Sequence, residues 1–396
     1  MESKRKNRSL FIDKEAVSAL SLVKYGLLSP IDKLMNKQES EEVDRTKLYK
    51  GRTFPFSFVL APSGKRNEEI LKSATKNERL NLVCEGKEYG HIVVDEVFMI
   101  DREKRVQNIF GIKDSSHPGV NKTLKRLGNY AVSGEFEIEF ENVRDAKLEI
   151  REAIQRVDAK NITAMMMAAK PLHRAHERMI RLALEDSDLL VIFLLKPYGR
   201  DVLSYDIRYR SVKYFIDNFV PMDRAIVVPL DNTYIFAGNN EMILDSIVAQ
   251  NFGCSKLVTG ANHVGLGIYY DKNNIHSVFD TLKGIDIEIE LMNEFVYCNV
   301  CKTLVSTKSC PHGRHHHISY HSRSIMELFR LGMLPPAVLV RKEISAMLLA
   351  HMFPDRFKNI DRLYDDMLPL NGLVEHHSEV DFYIGLMDMH QTSSLT

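Results

Sequence analysis

Four short runs of apolar residues, separated by helical patterns, constrain this chain more than any other feature. They are Ile162-Thr-Ala-Met-Met-Met167, Leu189-Leu-Val-Ile-Phe-Leu-Leu195, Ala225-Ile-Val-Val-Pro-Leu230 and Lys256-Leu-Val-Thr259. Helical spacing covers 173–184, 208–219 and 240–251 between them. A strand that is apolar along its whole length needs cover on both faces, and the helical crossovers of a parallel sheet supply it. The rhythm therefore predicts an α/β sheet from about residue 150. Upstream the pattern differs. Phe54-Pro-Phe-Ser-Phe-Val-Leu-Ala61, Tyr89-Gly-His-Ile-Val-Val94 and Gly134-Glu-Phe-Glu-Ile-Glu-Phe140 read as strands between turns. In the last, apolar residues alternate with Glu, which suits a sheet with one wet face. Such spacing suggests a small β-barrel. From about residue 330 the chain reads as mostly helical, with a break at Pro335-Pro336.

Composition narrows the function. The 396 residues leave room for two or three domains. Lys+Arg and Asp+Glu are equal at 53 each, so no global field recruits nucleic acid or an anionic membrane, and any anion site is local. No run approaches the roughly 20 apolar residues of a membrane span. The basic start, Met1-Glu-Ser-Lys-Arg-Lys-Asn-Arg8, is followed only by short apolar runs without a small-residue cleavage site, so no signal peptide is expected. Five cysteines, three of them clustered, fit a reduced cytoplasmic protein with a metal site better than a disulfide scaffold. The expected partners are small molecules, with a homo-oligomer left open.

Three segments carry chemistry. Lys170-Pro-Leu-His-Arg-Ala-His-Glu177 follows the first apolar run and opens a helix. Pro171 suits an early helix position, and His173 and His176, three apart, share one face of the first turn. Free N–H groups and the helix dipole there favour a phosphate, beside which two imidazoles can donate hydrogen bonds. Gly260-Ala-Asn-His-Val-Gly-Leu-Gly267 follows the fourth run, where an open parallel sheet binds its ligands; its glycines permit close backbone approach, and His263 lies among them. Last, Cys298 and Cys301 at Cys-x-x-Cys spacing, with Cys310 and His312, form a Cys₃His set suited to a closed, structural zinc site. His315, in the run Arg314-His-His-His317, competes as fourth ligand.

Together these segments resemble the ATP sulfurylase family. Phe110-Gly-Ile-Lys-Asp-Ser-Ser-His-Pro-Gly-Val120 is similar to its Phe-Gly-x-x-Asp-x-x-His-Pro-Gly-Val segment, and Tyr25-Gly-Leu-Leu-Ser-Pro30 to its Asn-Gly-x-x-Ser-Pro. Pro171-Leu-His-Arg-Ala-His-Glu177 resembles Asn-Pro-x-His-x-Ala-His-Glu from its Pro onward. Residues 260–267 resemble Gly-Arg-Asp-His-Ala-Gly-Val-Gly, and Ala237-Gly238 resembles the start of Ala-Gly-Pro-Arg-Glu. The resemblance implies an α/β chain of three parts. These are a PUA-like β-barrel domain over 1–150, a Rossmann-like nucleotidyltransferase domain over 151–328 with a zinc-binding insertion at about 296–318, and a small helical domain over 329–396. It also implies MgATP as substrate and His173 and His176 as catalytic residues, and Lys170 and Arg174 join that set as cations close in sequence to the altered acceptor strip. Pro171, Leu172, Gly260, Asn262, His263 and Gly265 would surround the nucleotide.

The departures fall on the acceptor side. Where the family reads Gln-Thr-Arg-Asn, with Gln and Arg on sulfate, this chain has Met167-Ala-Ala-Lys170. The Arg and Asp of Gly-Arg-Asp-His are Ala261 and Asn262, and the Pro-Arg of Ala-Gly-Pro-Arg-Glu is Asn239-Asn240. The family's Ser-Gly-Thr-Lys-Val-Arg appears as His321-Ser-Arg-Ser-Ile-Met326. Guanidinium forks are what hold a buried dianion. Sulfate adenylyltransferase is thus the first expectation, with a different acceptor or a non-catalytic nucleotide-binding paralogue as alternatives.

Overall fold

A computed structural model of the chain describes residues 8–196, 203–231, 237–260, 282–368 and 376–391. The chain divides into two units. One comprises Met1–Met166, Ser187–Gly199 and Val228–Met292, the other Met167–Asp186, Arg200–Val227 and Asn293–Thr396.

The N-terminal part of the first unit is built on strands β1 (Arg8–Phe11), β4 (Leu60–Pro62), β5 (Arg79–Cys84), β6 (Lys87–Met99) and β7 (Leu127–Ile138), in the order β1-β5-β6-β7-β4. A two-strand ribbon, β2 (Leu48–Tyr49) and β3 (Arg52–Thr53), stands apart from that sheet. Pairing is antiparallel except between β1 and β5. Register shifts at Leu82/Val83 and at Val94/Glu96 mark bulges, which bend and twist a strand. Gly134 lies opposite Val94 at φ 143°, and a Cβ there would fall 1.9 Å from the carbonyl oxygen of Val93. Only glycine permits that approach. The helices of this part are α1 (Lys14–Lys24), α2 (Lys37–Thr46), α3 (Lys65–Lys72), α4 (Arg102–Phe110) and α5 (Pro118–Arg126).

The expected strand over 54–61 forms only at its end. Phe54, Phe56 and Phe58 are buried, but Pro55 has no N–H. The N–H groups of Ser57 and Phe58 go instead to Asp44 Oδ1 (2.8 Å) and Met35 Sδ (3.3 Å). Burial drives the alternation of phenylalanines, and side-chain acceptors replace the ladder.

The 110–120 segment proves to be a helix-to-helix connection. Gly111 ends α4 in the left-handed conformation, Asp114 Oδ1 accepts from the Ser116 N–H (2.8 Å), and buried His117 caps α5 by accepting from the Val120 N–H (3.3 Å). Pro118 follows at the first helical position, where its missing N–H costs nothing.

After α6 (Glu141–Val157) come β8 (Ile162–Met167), β9 (Leu189–Leu195), β10 (Ala225–Leu230), β11 (Lys256–Gly260) and β12 (Glu288–Met292), in the order β10-β9-β8-β11-β12. β11 pairs parallel to both β8 and β12. Every residue of β8 and β9 is buried, as their unbroken apolar sequences require. The intervening helices are α7 (Arg174–Glu185), α8 (Tyr205–Phe219) and α9 (Asn239–Asn251). The four apolar runs were thus legible to within a residue; β12, with Glu288 and Glu290 in its sequence, was not foreseen.

The second unit holds α7, α8, a three-stranded sheet and several later helices. β13 (Phe295–Cys298) is the middle strand of that sheet, flanked antiparallel by β14 (Thr303–Ser306) and β15 (His317–Ser319). Helices at Ser322–Arg330, Lys342–Met352, Ile360–Met367 and Glu379–Gln391 complete it. No helix of the described residues is long and apolar enough to cross a membrane.

Candidate functional site

The segment that leaves β8 is folded tightly. Ala169 takes a left-handed φ of 48°, and the Lys170–Pro171 peptide is cis. Met167, Ala169 and Leu172 are buried at 3%, 1% and 1% exposure, whereas Lys170 is half-buried. The carbonyl of Ala168 accepts from Arg208 Nη1 of α8 at 2.7 Å. The apolar Met167 and Ala169, which stand where the resembling family has Gln and Arg, are thus buried in the turn.

His173 stands at the N-cap of α7 in extended conformation. Its backbone N–H donates to Nδ1 of His176 at 3.3 Å, which leaves the His176 proton on Nε2 in the neutral ring. The two imidazoles are stacked, with centroids 3.7 Å apart and planes 17° from parallel. Burial lowers both pKa values: His176 falls to about 4, and His173, which also feels the neighbouring ring, falls well below its usual value. Both rings are therefore neutral at pH 7. Nδ1 of His173 is buried and has no partner among the described residues. The two residues also form a reciprocal capping box at the start of α7, with the His173 side chain facing the His176 N–H.

Glu177, one step along α7, is 4% exposed and tied on two sides. Arg341 grips it with Nε on Oε1 (3.1 Å) and Nη2 on Oε2 (2.7 Å), while Arg174 Nη1 reaches Oε2 at 3.0 Å. Arg174 also gives Nε to Ala337 O and its backbone N–H to Leu339 O, both at 3.0 Å. Through Nε and Nη1 its guanidinium helps to hold α7 to the 337–341 segment. Arg341 lies 3.6 Å from the centroid of Phe219, a cation–π contact.

Gly260 closes β11. Asn262, His263 and Gly265 lie outside the described residues. Asn240 has a structural use of its own: its Nδ2 caps the end of α4 by donating to Asn108 O (3.0 Å) and Ile109 O (2.8 Å). Pro171 is buried beside Lys170 in the turn.

Sequence reasoning missed Arg208, Arg341 and Tyr320. Arg208 is 2% exposed and sits in the buried stripe Ile207, Ser211, Val212 and Phe215 of α8. A charge inside an apolar helical stripe was the available signal. Tyr320, with its ring 5.3 Å from that of His173 and its hydroxyl donating to Val338 O at 2.6 Å, gave none.

The four cysteine and histidine positions do meet. Sγ of Cys298, Cys301 and Cys310 and Nδ1 of His312 all lie within 4.8 Å of one another. His312 Nδ1 is 3.5, 3.3 and 3.5 Å from those three sulfurs in turn, and Cys301 and Cys310 are 3.9 Å apart. Ligand atoms on a tetrahedral zinc, roughly 2.0–2.3 Å from the ion, sit about 3.5–3.8 Å from one another. The donor set and its spacing fit that ion. Burial opposes the Cys298 thiolate, yet the N–H groups of Cys301 and Val300 and the neighbouring thiols outweigh it and bring the thiol down to about 7. His315 is not among the four clustered ligands and packs on His316, with ring centroids 4.1 Å apart, while His317 Nε2 lies 3.4 Å from Cys310 Sγ.

Comparison with known proteins agrees with this geometry. The model of the ATP-sulfurylase family matches residues 141–351, more than half of the chain, and that of the PUA-like domain matches 1–139. Sulfate adenylyltransferase of Halothermothrix orenii is 26% identical over 356 residues, covering 87% of this chain and 91% of that protein. The enzyme of the same name from Psychrobacter sp. is 28% identical over 348 residues, covering 83% and 81%. Among solved structures, one titled hexameric APS kinase from Thiobacillus denitrificans superposes with a TM-score of 0.63 at 20% identity. It covers 87% of this chain, which spans 63% of that longer one, and the likeness is one of fold. A PUA-like N-terminal domain followed by a family domain that covers β8, α7 and the metal-ligand cluster makes this chain a divergent member of the ATP-sulfurylase family.

Proposed function

We propose that the chain transfers AMP from MgATP to a small oxyanion, releasing pyrophosphate, with sulfate as first acceptor and adenosine 5′-phosphosulfate as its product. By family the chain is a nucleotidyltransferase. One observation carries the reading at this site: the stacked His173–His176 pair at the N-terminus of α7, with a buried ring nitrogen lacking a partner. An acceptor oxygen attacks the α-phosphorus, the bond from that phosphorus to the bridging oxygen of the β-phosphate breaks, and pyrophosphate departs with the electron pair. No covalent enzyme intermediate is needed, so catalysis is positioning and charge stabilisation. His173 and His176 hold phosphate oxygens. Pro171 and Leu172 shape the turn, and the 260–267 segment takes the nucleotide. Lys170 supplies the nearest cation in sequence to the acceptor, and Arg174 fixes α7 through Glu177.

A second reading is an acceptor other than sulfate. It is favoured by the buried apolar Met167 and Ala169, which give a dianion neither charge nor hydrogen bonds. Pyrophosphate release from MgATP against a panel of oxyanions distinguishes the two. Release promoted by sulfate supports the first, and release only with another oxyanion supports the second. ATP binding without any release points to a non-catalytic paralogue.

Zinc held by Cys298, Cys301, Cys310 and His312 is proposed as structural. A closed four-ligand shell leaves no position for substrate, and the ion pins β13 to the 310–312 segment. We retain the division at about 150, close to the family boundaries at 139 and 141, and at about 328, which the family match to residue 351 crosses. A cytoplasmic homo-oligomer is compatible with it.

A further inference from the structure

The sheet of the PUA-like domain ends at β1 and β4, and both edge strands line a cavity of about 360 Å³. That is within the size range of sites for small organic ligands. Phe11, Leu20, Leu60 and Ile109 supply its apolar walls. Two of its lining acids are already neutralised. Glu15, 2% exposed, meets Lys122 and Arg126, and Asp13 meets Arg126 at 2.5 and 2.8 Å.

Arg105 is different. It reaches the cavity from α4, is 7% exposed, and is paired with no carboxylate among the described residues. Only Nη1 is bonded, to Ser57 O (3.2 Å) and Ser57 Oγ (3.0 Å). Nε and Nη2 have no partner among the described residues, so three of the five guanidinium N–H groups are unspent. The Nε–Nη2 edge receives a carboxylate side-on through two parallel hydrogen bonds. A buried charge that lacks its counter-ion beside an apolar chamber defines the complementary ligand: one anionic fork on a hydrocarbon body.

We propose that this cavity binds an amphipathic monocarboxylate, its carboxylate on Arg105 and its chain against the apolar walls. Nothing in the nucleotidyl-transfer reading requires such a site. The test is calorimetric titration of the full chain with octanoate, octanol and octylamine. Octanoate should bind saturably at one site per chain and raise the melting temperature. Octanol and octylamine should bind roughly tenfold more weakly or worse, since the charge-assisted pair is lost. Arg105→Met keeps the bulk and should abolish the preference for octanoate over octanol. Ala16→Leu, which fills the cavity from α1, should weaken both, and it decides the matter if Arg105→Met fails to fold. Octanoate binding no tighter than octanol, no binding at millimolar concentration, or binding indifferent to both substitutions would overturn the proposal.

Discussion

The imidazole of His173 lies on that of His176, centroids 3.7 Å apart, with the His173 N–H donating to His176 Nδ1 at 3.3 Å. Stacking holds both rings at the tip of α7 and keeps His173 Nδ1 inside, where it has no protein partner among the described residues. A triphosphate placed there supplies the acceptor and favours the protonated rings. Changing both histidines to Ala is expected to weaken nucleotide binding or turnover by well over tenfold, each hydrogen bond to a charged group contributing about 1.5–3 kcal/mol. Calorimetry with MgATP, read beside turnover, checks this; equal affinity and activity in the double variant would remove the histidines from the site.

The same pair predicts a pH dependence of stability. Burial lowers the folded-state pKa of His176 from 6.5 to about 4. Above pH 6.5 neither the folded nor the unfolded chain carries that proton, and the pair costs nothing. As pH falls below 6.5 the unfolded chain protonates first, so stability drops until the folded pKa is reached. His176 alone is expected to cost about 2 kcal/mol between pH 7 and pH 5, with His173 adding in the same direction. Urea unfolding at the two pH values should show the loss, and His173→Asn with His176→Asn should flatten it. An unchanged slope in that double variant would contradict neutral burial of the rings.

Glu177 gives a prediction about the scaffold. Replacing it with Gln leaves the guanidinium groups of Arg174 and Arg341 without their carboxylate. Removing one partner of a buried ion pair costs about 3–5 kcal/mol. Chemical denaturation should find Glu177→Gln destabilised on that scale, and Arg174→Met less so, because Arg341 keeps its two-point grip. A shift below about 1 kcal/mol would mean that the pair is solvated rather than buried.

Purified without chelators, the protein is expected to carry about one zinc per chain. Cys298→Ser should lose the metal and lower the melting temperature. His315→Ala should retain it, since His312 is the histidine within 3.5 Å of all three sulfurs. Elemental analysis reads the outcome directly, and zinc-free wild type would dispose of the site.

The sequence made the sheet legible because β8 and β9 are buried along their whole length and must be apolar throughout. It misread 54–59 because a row of buried phenylalanines looks alike whether its N–H groups pair with a strand or with Asp44 and Met35. Spacing placed His173 and His176 on one helical turn, but whether their rings stack or splay depends on burial that only the fold decides. The Glu177–Arg341 pair joins residues 164 apart, and no local pattern signals it. Arg174 illustrates the same limit: nothing local signals that its Nε and Nη1 bind Ala337 O and Glu177.

Oxyanion-dependent pyrophosphate release from MgATP tests the central claim most directly. Wild type should release pyrophosphate only when an oxyanion is present. With sulfate the rate should be weak, because Met167 and Ala169 offer no fork, and Lys170→Ala should lower it further, since an ammonium compensates only in part for a lost guanidinium. Faster release with a different oxyanion leaves the adenylyl-transfer reading intact. ATP that binds but yields no pyrophosphate with any oxyanion would contradict that reading.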